Sequence, residues 1–417
     1  MVANGTETAG WVDAPNVRGS IDILWGCGLV LSTALWTVLH LNIPGPNDSF
    51  LANMCRKIRW GMLAILAPDL LVYFSAMQWE AAQQAVRQMH RLGYKHWTLK
   101  HAFYANSGGF VLRSIDYRPF PITSAALQYL VEADYIECPT ITEEEIWDKS
   151  KADTFAKCVA LVQTLWLAVQ SIARVIQGLA VSPLELFSLG FVLSTMMSYY
   201  FWMHKPQNVS VPTYLDLKYG SVHAILAQGG AGSTPVDEFQ DTPLDFVEKP
   251  LQRWHRRPTL EKFGREEEGP LQRMPDDKIP VTDMSRQTWV LVTVQAMIHP
   301  AIHLLGWNHL FPTPTERLLW RIGALTLASG LPLATTVRVA LTALGFKGHR
   351  SLTYIWIQPT ERPPGWKPWV LDIISTMISG CLVPARLYII IEAFISLRRL
   401  PVSSFQTVEW TNFIPHV

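Results

Sequence analysis

Charge is scarce in this chain. Asp, Glu, Lys and Arg supply 17% of its 417 residues, against about 25% in soluble domains. The formal net charge of +1 leaves no basic footprint for nucleic acid. Cysteine is scarce as well. Cys27, Cys55, Cys138, Cys158 and Cys381 stand apart with no C-x-x-C pair, so neither a disulfide framework nor a thiolate metal cluster is expected. Nucleotide, flavin, haem and hydrolase motifs are missing, and no cofactor is implied. The glycine run Gly229–Ser233 lacks the Lys-Ser/Thr ending of a phosphate loop and reads as linker. No internal repeat is apparent, which weighs against inverted-repeat transporter folds.

Apolar residues fill the space that charge leaves. They make up 49% of the chain, with 17 tryptophans. Measured against the roughly 20 residues a spanning helix needs, seven runs qualify: Ile23–Leu41, Trp60–Trp79, Phe155–Leu179, Pro183–Met203, Trp289–Trp307, Glu316–Leu344 and Trp369–Leu397. The expected fold is an all-α, multi-pass transmembrane helical bundle. His101–Leu112 is too short to cross and reads as a re-entrant or interfacial piece. Ser182-Pro183-Leu184-Glu185 and Thr313-Pro314-Thr315-Glu316 each place a capping hydroxyl, a proline in the first turn and a glutamate three residues on, and so mark helix starts. Thr142 and Glu145 repeat the box.

The organisation follows. A polar tail, 1–22, precedes a first membrane half, 23–203, interrupted by a polar and amphipathic insertion at 80–154. A charged loop, 204–287, is expected to be flexible and cytosolic. A second membrane half, 288–397, leads to a tail, 398–417. With no A-x-A site after the Ile23 run, the first helix is expected to be retained rather than cleaved. Basic flanks such as Arg87, Arg91, Lys149 and Lys205 favour a cytosolic N-terminus; seven spans then leave the C-terminus lumenal. In the loop, Leu251–Pro258 clusters Arg253, Arg256 and Arg257 around Trp254, suited either to an anionic leaflet or to plain solvation.

Ionisable residues inside apolar runs are costly and face a bundle interior, a cavity or a substrate path. "VQAMIHPAIHLLGW" carries Gln295, His299 and His303 on one helical face, with Pro300 between the histidines. Pro300 has no N–H, so the Ala296 carbonyl loses its helical partner and the His303 ring could replace it. The i, i+4 histidines could also line a cavity, or meet one metal, but no glutamate follows His299 and no metal is expected. Asp69 follows Pro68 within an apolar run and lies on the same face as Glu80, so the two could line a groove; a paired structural aspartate is the alternative. Arg174, Arg338, Arg386 and Glu392 read first as charges paired within the bundle. The candidate catalytic groups are His299, His303, Asp69, His101 and Tyr104. Gln295, His40, Glu80, Arg338 and Asp372 are the candidate substrate-binding ones.

"WTVLHLNIP" (Trp36–Pro44), "ILAPDLLVYFSAMQW" (Ile65–Trp79), "WTLKHAFYANSGGFVL" (Trp97–Leu112), "FWMHKPQNVSVP" (Phe201–Pro212) and the tail Tyr388–Val417 resemble a large family of multi-pass membrane proteins of filamentous fungi. Some fungal multi-pass proteins linked to specialised metabolism act as cyclases on terpenoid or polyketide intermediates. By that analogy, the resemblance implies an endoplasmic-reticulum or other endomembrane enzyme. It would bind a lipophilic small molecule in an intramembrane pocket and promote its cyclisation or isomerisation without a redox cofactor. A transporter, channel or scaffold is the alternative. The bilayer is the expected partner and nucleic acid is not.

Overall fold

The computed structural model describes residues 7–14, 17–150, 154–228, 241–247, 269–276, 278, 284–343 and 367–410. Helices dominate. Among the described residues, five are long and apolar enough to cross a membrane, or six if one sharply bent pair counts as a single span. They are α1 (Ser20–Val38), α7 (Thr154–Ile176), α8 (Pro183–Trp202), α10 (Arg286–Ala301, extended by a 3-10 turn to Gly306) and α12 (Lys367–Ile395). The thirty-residue α11 (Pro314–Ala343) packs along α10 and α12. Its apolar stretch holds no charged residue between Arg321 and Arg338.

The three capping signals form as the residues dictate. Ser182 N–H donates to Glu185 Oε2 at 2.8 Å and Glu185 N–H to Ser182 Oγ at 3.3 Å, fixing the start of α8. Glu316 N–H reaches Thr313 Oγ1 at 3.2 Å at the start of α11. Thr142 and Glu145 close the third box on α6 (Glu143–Lys149).

The expected span Trp60–Trp79 is not one helix. α2 (Phe50–Leu66) ends at Ala67, whose φ of −139° and ψ of 64° are not helical, and α3 (Pro68–Arg91) begins at Pro68 with a turn of 112°. A proline has no N–H to continue a helix but suits a first turn. α3 therefore heads back the way α2 came. Arg56, ten residues before the end of α2, donates from Nη2 to the Asn42 carbonyl at 2.9 Å. Asn42 follows α1 and is bound in turn by Asp276. Gln78, ten residues into α3, accepts from Lys205 Nζ and Trp202 Nε1, both at 2.9 Å, where α8 finishes. The two arms thus run from one end of the bundle, and the turn lies about 15 Å along each of them at 1.5 Å per residue.

The polar insertion is not loose, and the all-α expectation needs a qualification. α4 (Leu99–Asn106), β2 (Phe110–Arg113), β3 (Phe120–Pro121), α5 (Ser124–Glu132), β4 (Thr213–Asp216) and α9 (Val222–Gln228) enclose their own core of Trp97, Tyr104, Phe110, Phe120 and Leu127. The strand order is β3-β2-β4, with β2 antiparallel to β3 and parallel to β4. His101–Leu112 is therefore the middle of an α+β unit rather than a re-entrant piece. Part of the loop expected to be flexible supplies its third strand. Farther on, Asp276 accepts from the Asn42 N–H at 2.6 Å and lies 3.4 Å from Arg56 Nε. The glycine run and the Leu251–Pro258 cluster lie outside the described residues. A Cβ on Gly109 would sit 2.5 Å from the Tyr104 ring. Gly109→Ala is therefore expected to cost about 1–3 kcal/mol by overpacking, read as a lower melting temperature of the purified chain; an unchanged melting curve would remove this contact from the unit's core.

At the other end of the bundle the two chain tails meet. β1 (Thr8–Ala9) pairs antiparallel with β5 (Leu400–Pro401), and Arg18 N–H donates to the Phe405 carbonyl at 3.1 Å. The two tails therefore lie together in the fold, whereas the seven expected crossings would have set them apart. Arg174, fully buried on α7, clamps this end, donating to the carbonyls of Ala180, Ser403, Ser404 and Gln406 at 2.8–3.0 Å. Bonds from a charged donor are worth about 1.5–3 kcal/mol each. Arg174→Leu should release the C-terminal segment, and protease should then cut after Arg398 faster than in the parent chain. Equal cleavage rates would mean that the clamp is not holding it.

Candidate functional site

The stripe that stands out in the sequence meets the tip of the turned-back hairpin. α10 presents Gln295 and His299 inward, both 2% exposed, and the following 3-10 turn buries His303 completely. Pro300 ends the regular helix one residue later, at Ala301. Opposite, Pro68 starts α3 and places Asp69 in its first turn, where the helix N-terminus favours a carboxylate.

His299 Nδ1 lies 3.0 Å from each oxygen of Asp69. Gln295 Nε2 donates to Asp69 Oδ1 at 3.1 Å and to Ser194 Oγ of α8 at 2.7 Å. From α12, Arg386 Nη1 approaches His299 Nε2 at 3.4 Å and His303 Nε2 at 3.1 Å, while Nη2 donates to the Ile65 carbonyl at 3.2 Å, at the open end of α2. Its guanidinium lies 5.1 Å from the Phe187 ring centroid.

These contacts fix the tautomers. A guanidinium only donates, so both Nε2 atoms accept, and His299 must carry its proton on Nδ1, toward Asp69. With the two Nε2 atoms turned to a cation, the i, i+4 pair is set to hold Arg386 rather than a metal. His303 likewise carries its proton on Nδ1, which finds no hydrogen-bond partner among the described residues, so the ring does not cap the Ala296 carbonyl. Instead His303 stacks on Phe187 and meets Trp320 edge-on. Among the described residues, Gln295 Oε1 and Arg386 Nε are also buried without partners. Three such atoms in one cluster are unusual, since buried polar groups are nearly all satisfied and exceptions call for an explanation.

Asp69 differs from its neighbours in being accessible: its side chain is 40% exposed, against 3% for His299. The carboxylate is held from inside and open outside. Close packing completes the frame. A Cβ on Gly190 of α8 would come within 3.1 Å of His299 Cδ2, so any larger residue there would require the imidazole to give by a few tenths of an ångström.

The other candidates lie elsewhere. Glu80 does not share a groove with Asp69; it is buried and accepts from the Ser285 N–H at 3.1 Å, tying α3 to the start of α10. His101 belongs to the α+β unit, its Nδ1 3.2 Å from the Thr98 N–H and its Nε2 2.8 Å from the Ile141 carbonyl, and burial pushes its pKa down. Tyr104, whose pKa burial raises, bonds Thr213 Oγ1 at 3.0 Å in the same unit. His40 lies 2.8 Å from the Val38 carbonyl and packs near Tyr199 and Trp202. The side chains of Arg338 and Asp372 lie outside what is described. Arg386 and Ser194 join the site without having been singled out for it. An arginine in an apolar run was a signal for Arg386; a helical serine gave none.

The chain matches, over residues 1–244 and 283–417, the model of a family described as of unknown function. The unmatched stretch falls within the proline- and charge-rich loop. No curated protein and no solved structure matches.

Proposed function

From the premise that the chain belongs to this family of unknown function, DUF8562, which brings no reaction with it, we propose that it is a multi-pass endomembrane enzyme that uses Asp69 to move a proton on a lipophilic substrate. The substrate class is a terpenoid or polyketide intermediate, and the outcome is cyclisation or isomerisation. One observation carries this reading: a carboxylate 40% exposed, bound through both oxygens by a buried histidine that belongs to a cluster holding buried polar atoms without partners among the described residues.

In this reading Asp69 accepts a proton from one carbon of the substrate and returns it to another, so nothing is oxidised or lost. His299 and Gln295 hold the carboxylate in place, and Arg386 holds His299 in the tautomer that can do so. An apolar surround strengthens each of these contacts. Microsomes containing the full chain should convert a lipophilic terpenoid or polyketide intermediate to an isomer of equal mass. Unchanged substrate across both classes would sink the proposal.

In the membrane, α1, α7, α8, α10, α11 and α12 make six crossings, and α2–α3 is a re-entrant hairpin entering from the end that carries the α+β unit. Most flanking basic residues gather at that end, Arg56, Arg87, Arg91, Lys95, Lys149 and Lys205 among them, so it faces the cytosol. Both tails then lie in the lumen. Reporters fused before Met1 and after Val417 should both be protected in sealed microsomes. Protection of only one would contradict the six-crossing arrangement.

The same hairpin favours a second reading, a transporter or channel, because broken helices at mid-bundle are where transporters bind substrate. Proteoliposomes separate the two: flux of an unaltered solute that fails in Asp69→Asn would support transport over chemistry.

A further inference from the structure

A groove of about 480 Å³ runs between α1, α7 and the C-terminal segment, away from Asp69 and His299. We infer that it binds an uncharged lipophile bearing one polar head group, independently of the chemistry proposed above. Its size falls within the roughly 300–1,000 Å³ of small-molecule sites.

The lining divides by polarity. Ile23, Gly26, Cys27, Leu167 and Val408 supply the apolar length, and Arg18, Asp22, Gln170 and Thr407 supply the polar end. The cation at that end is already paired within the protein, and the carboxylate caps α1. Arg18 Nη2 lies 2.5 Å from the buried Glu185, and its Nη1 donates to the Ser404 carbonyl at 3.3 Å. Asp22 accepts from the Gly19 N–H at 2.8 Å at the start of α1. An anionic head would lose water there, face the Asp22 carboxylate and find Arg18 already paired with Glu185, and a cationic head would meet the Arg18 guanidinium beside Asp22, whereas a hydroxyl or carbonyl can hydrogen-bond. The other end of the ligand needs an apolar route. Trp25 and Leu29 on α1, and Trp166 and Val169 on α7, are exposed beside the lining residues, so the groove continues into an apolar outer surface.

The tail forms a strap across it. Glu409 exchanges two hydrogen bonds with the Gln177 side chain, at 2.9 and 3.0 Å, and Trp410 stacks on Trp166 with ring centroids 5.1 Å apart. Two glycines on α1 provide a controlled test. A Cβ on Gly26, which lines the groove, or on Gly28, which does not, would meet nothing within 4 Å, so both positions have open space where a side chain would begin.

The probe is a diazirine-bearing prenyl alcohol added to the purified full chain in detergent, with crosslinks mapped by mass spectrometry. Crosslinks are expected on the α1 segment around Gly26 and on the segment containing Thr407–Trp410. They should be lost in Gly26→Trp, reduced in the milder Gly26→Leu and kept in Gly28→Trp. Excess unlabelled alcohol should compete, whereas the corresponding prenyl phosphate and phosphatidylcholine should not. Persistence of these crosslinks in both Gly26 variants, or equal competition by the phosphate or the phospholipid, would overturn the inference.

Discussion

Arg386→Met is expected to remove most of the folded protein from the membrane, at a cost of about 3–5 kcal/mol, the usual penalty for breaking a buried charged network from one side. The arginine is 5% exposed and contacts three acceptors: His299 on α10, His303 in the 3-10 turn that extends it, and the Ile65 carbonyl at the end of α2. Methionine fills much of the volume over Phe187 but donates nothing. The Ile65 carbonyl, freed where the helix breaks, would then be buried without a donor, as would two imidazole nitrogens. The loss should exceed that of His303→Ala, which removes a single acceptor and a packing surface. Arg386→Lys should fall between them, because an ammonium keeps the charge but lacks the planar fork that spans three acceptors. Yield and melting temperature in detergent measure this series. A methionine variant as stable as its parent would mean that α12 does not hold the hairpin in place.

Some of this centre is readable in the sequence and some is not, for physical reasons. The stripe Gln295, His299 and His303 shows itself because imidazoles in an apolar run need a reason to be there. Asp69 shows itself for the same reason. That the two meet is not readable: they lie 230 residues apart, and apolarity says nothing about which helices touch. The direction of the hairpin is hidden as well. Pro68 sits inside an apolar run that hydropathy reads as one span, yet proline is as much at home in the first turn of a new helix, and only tertiary contact at Arg56 and Gln78 decides. The caps at Ser182, Thr313 and Thr142 are legible because their geometry is local. The α+β unit is the opposite case. Its strands are short, and β4 pairs with β2 across about a hundred residues, so no periodicity announces them. His101 and Tyr104 look like candidates for a site only until that pairing is known.

The second large effect concerns chemistry rather than stability. His299→Ala removes the group that holds both Asp69 oxygens, while Gln295 still holds one of them and Arg386 keeps its bonds to His303 and Ile65. Helix α10 should still insert, since alanine suits an apolar surround better than imidazole. Loss of an oriented acid–base group costs about 10²–10⁴-fold in rate. The deciding measurement is turnover of a lipophilic terpenoid or polyketide intermediate by microsomes carrying the parent chain, Asp69→Asn or His299→Ala, normalised to folded protein. The expected result is conversion by the parent, none detectable with Asp69→Asn and a loss of about a hundredfold or more with His299→Ala. Parent-like conversion by either variant would contradict a reactive centre built on Asp69 and His299.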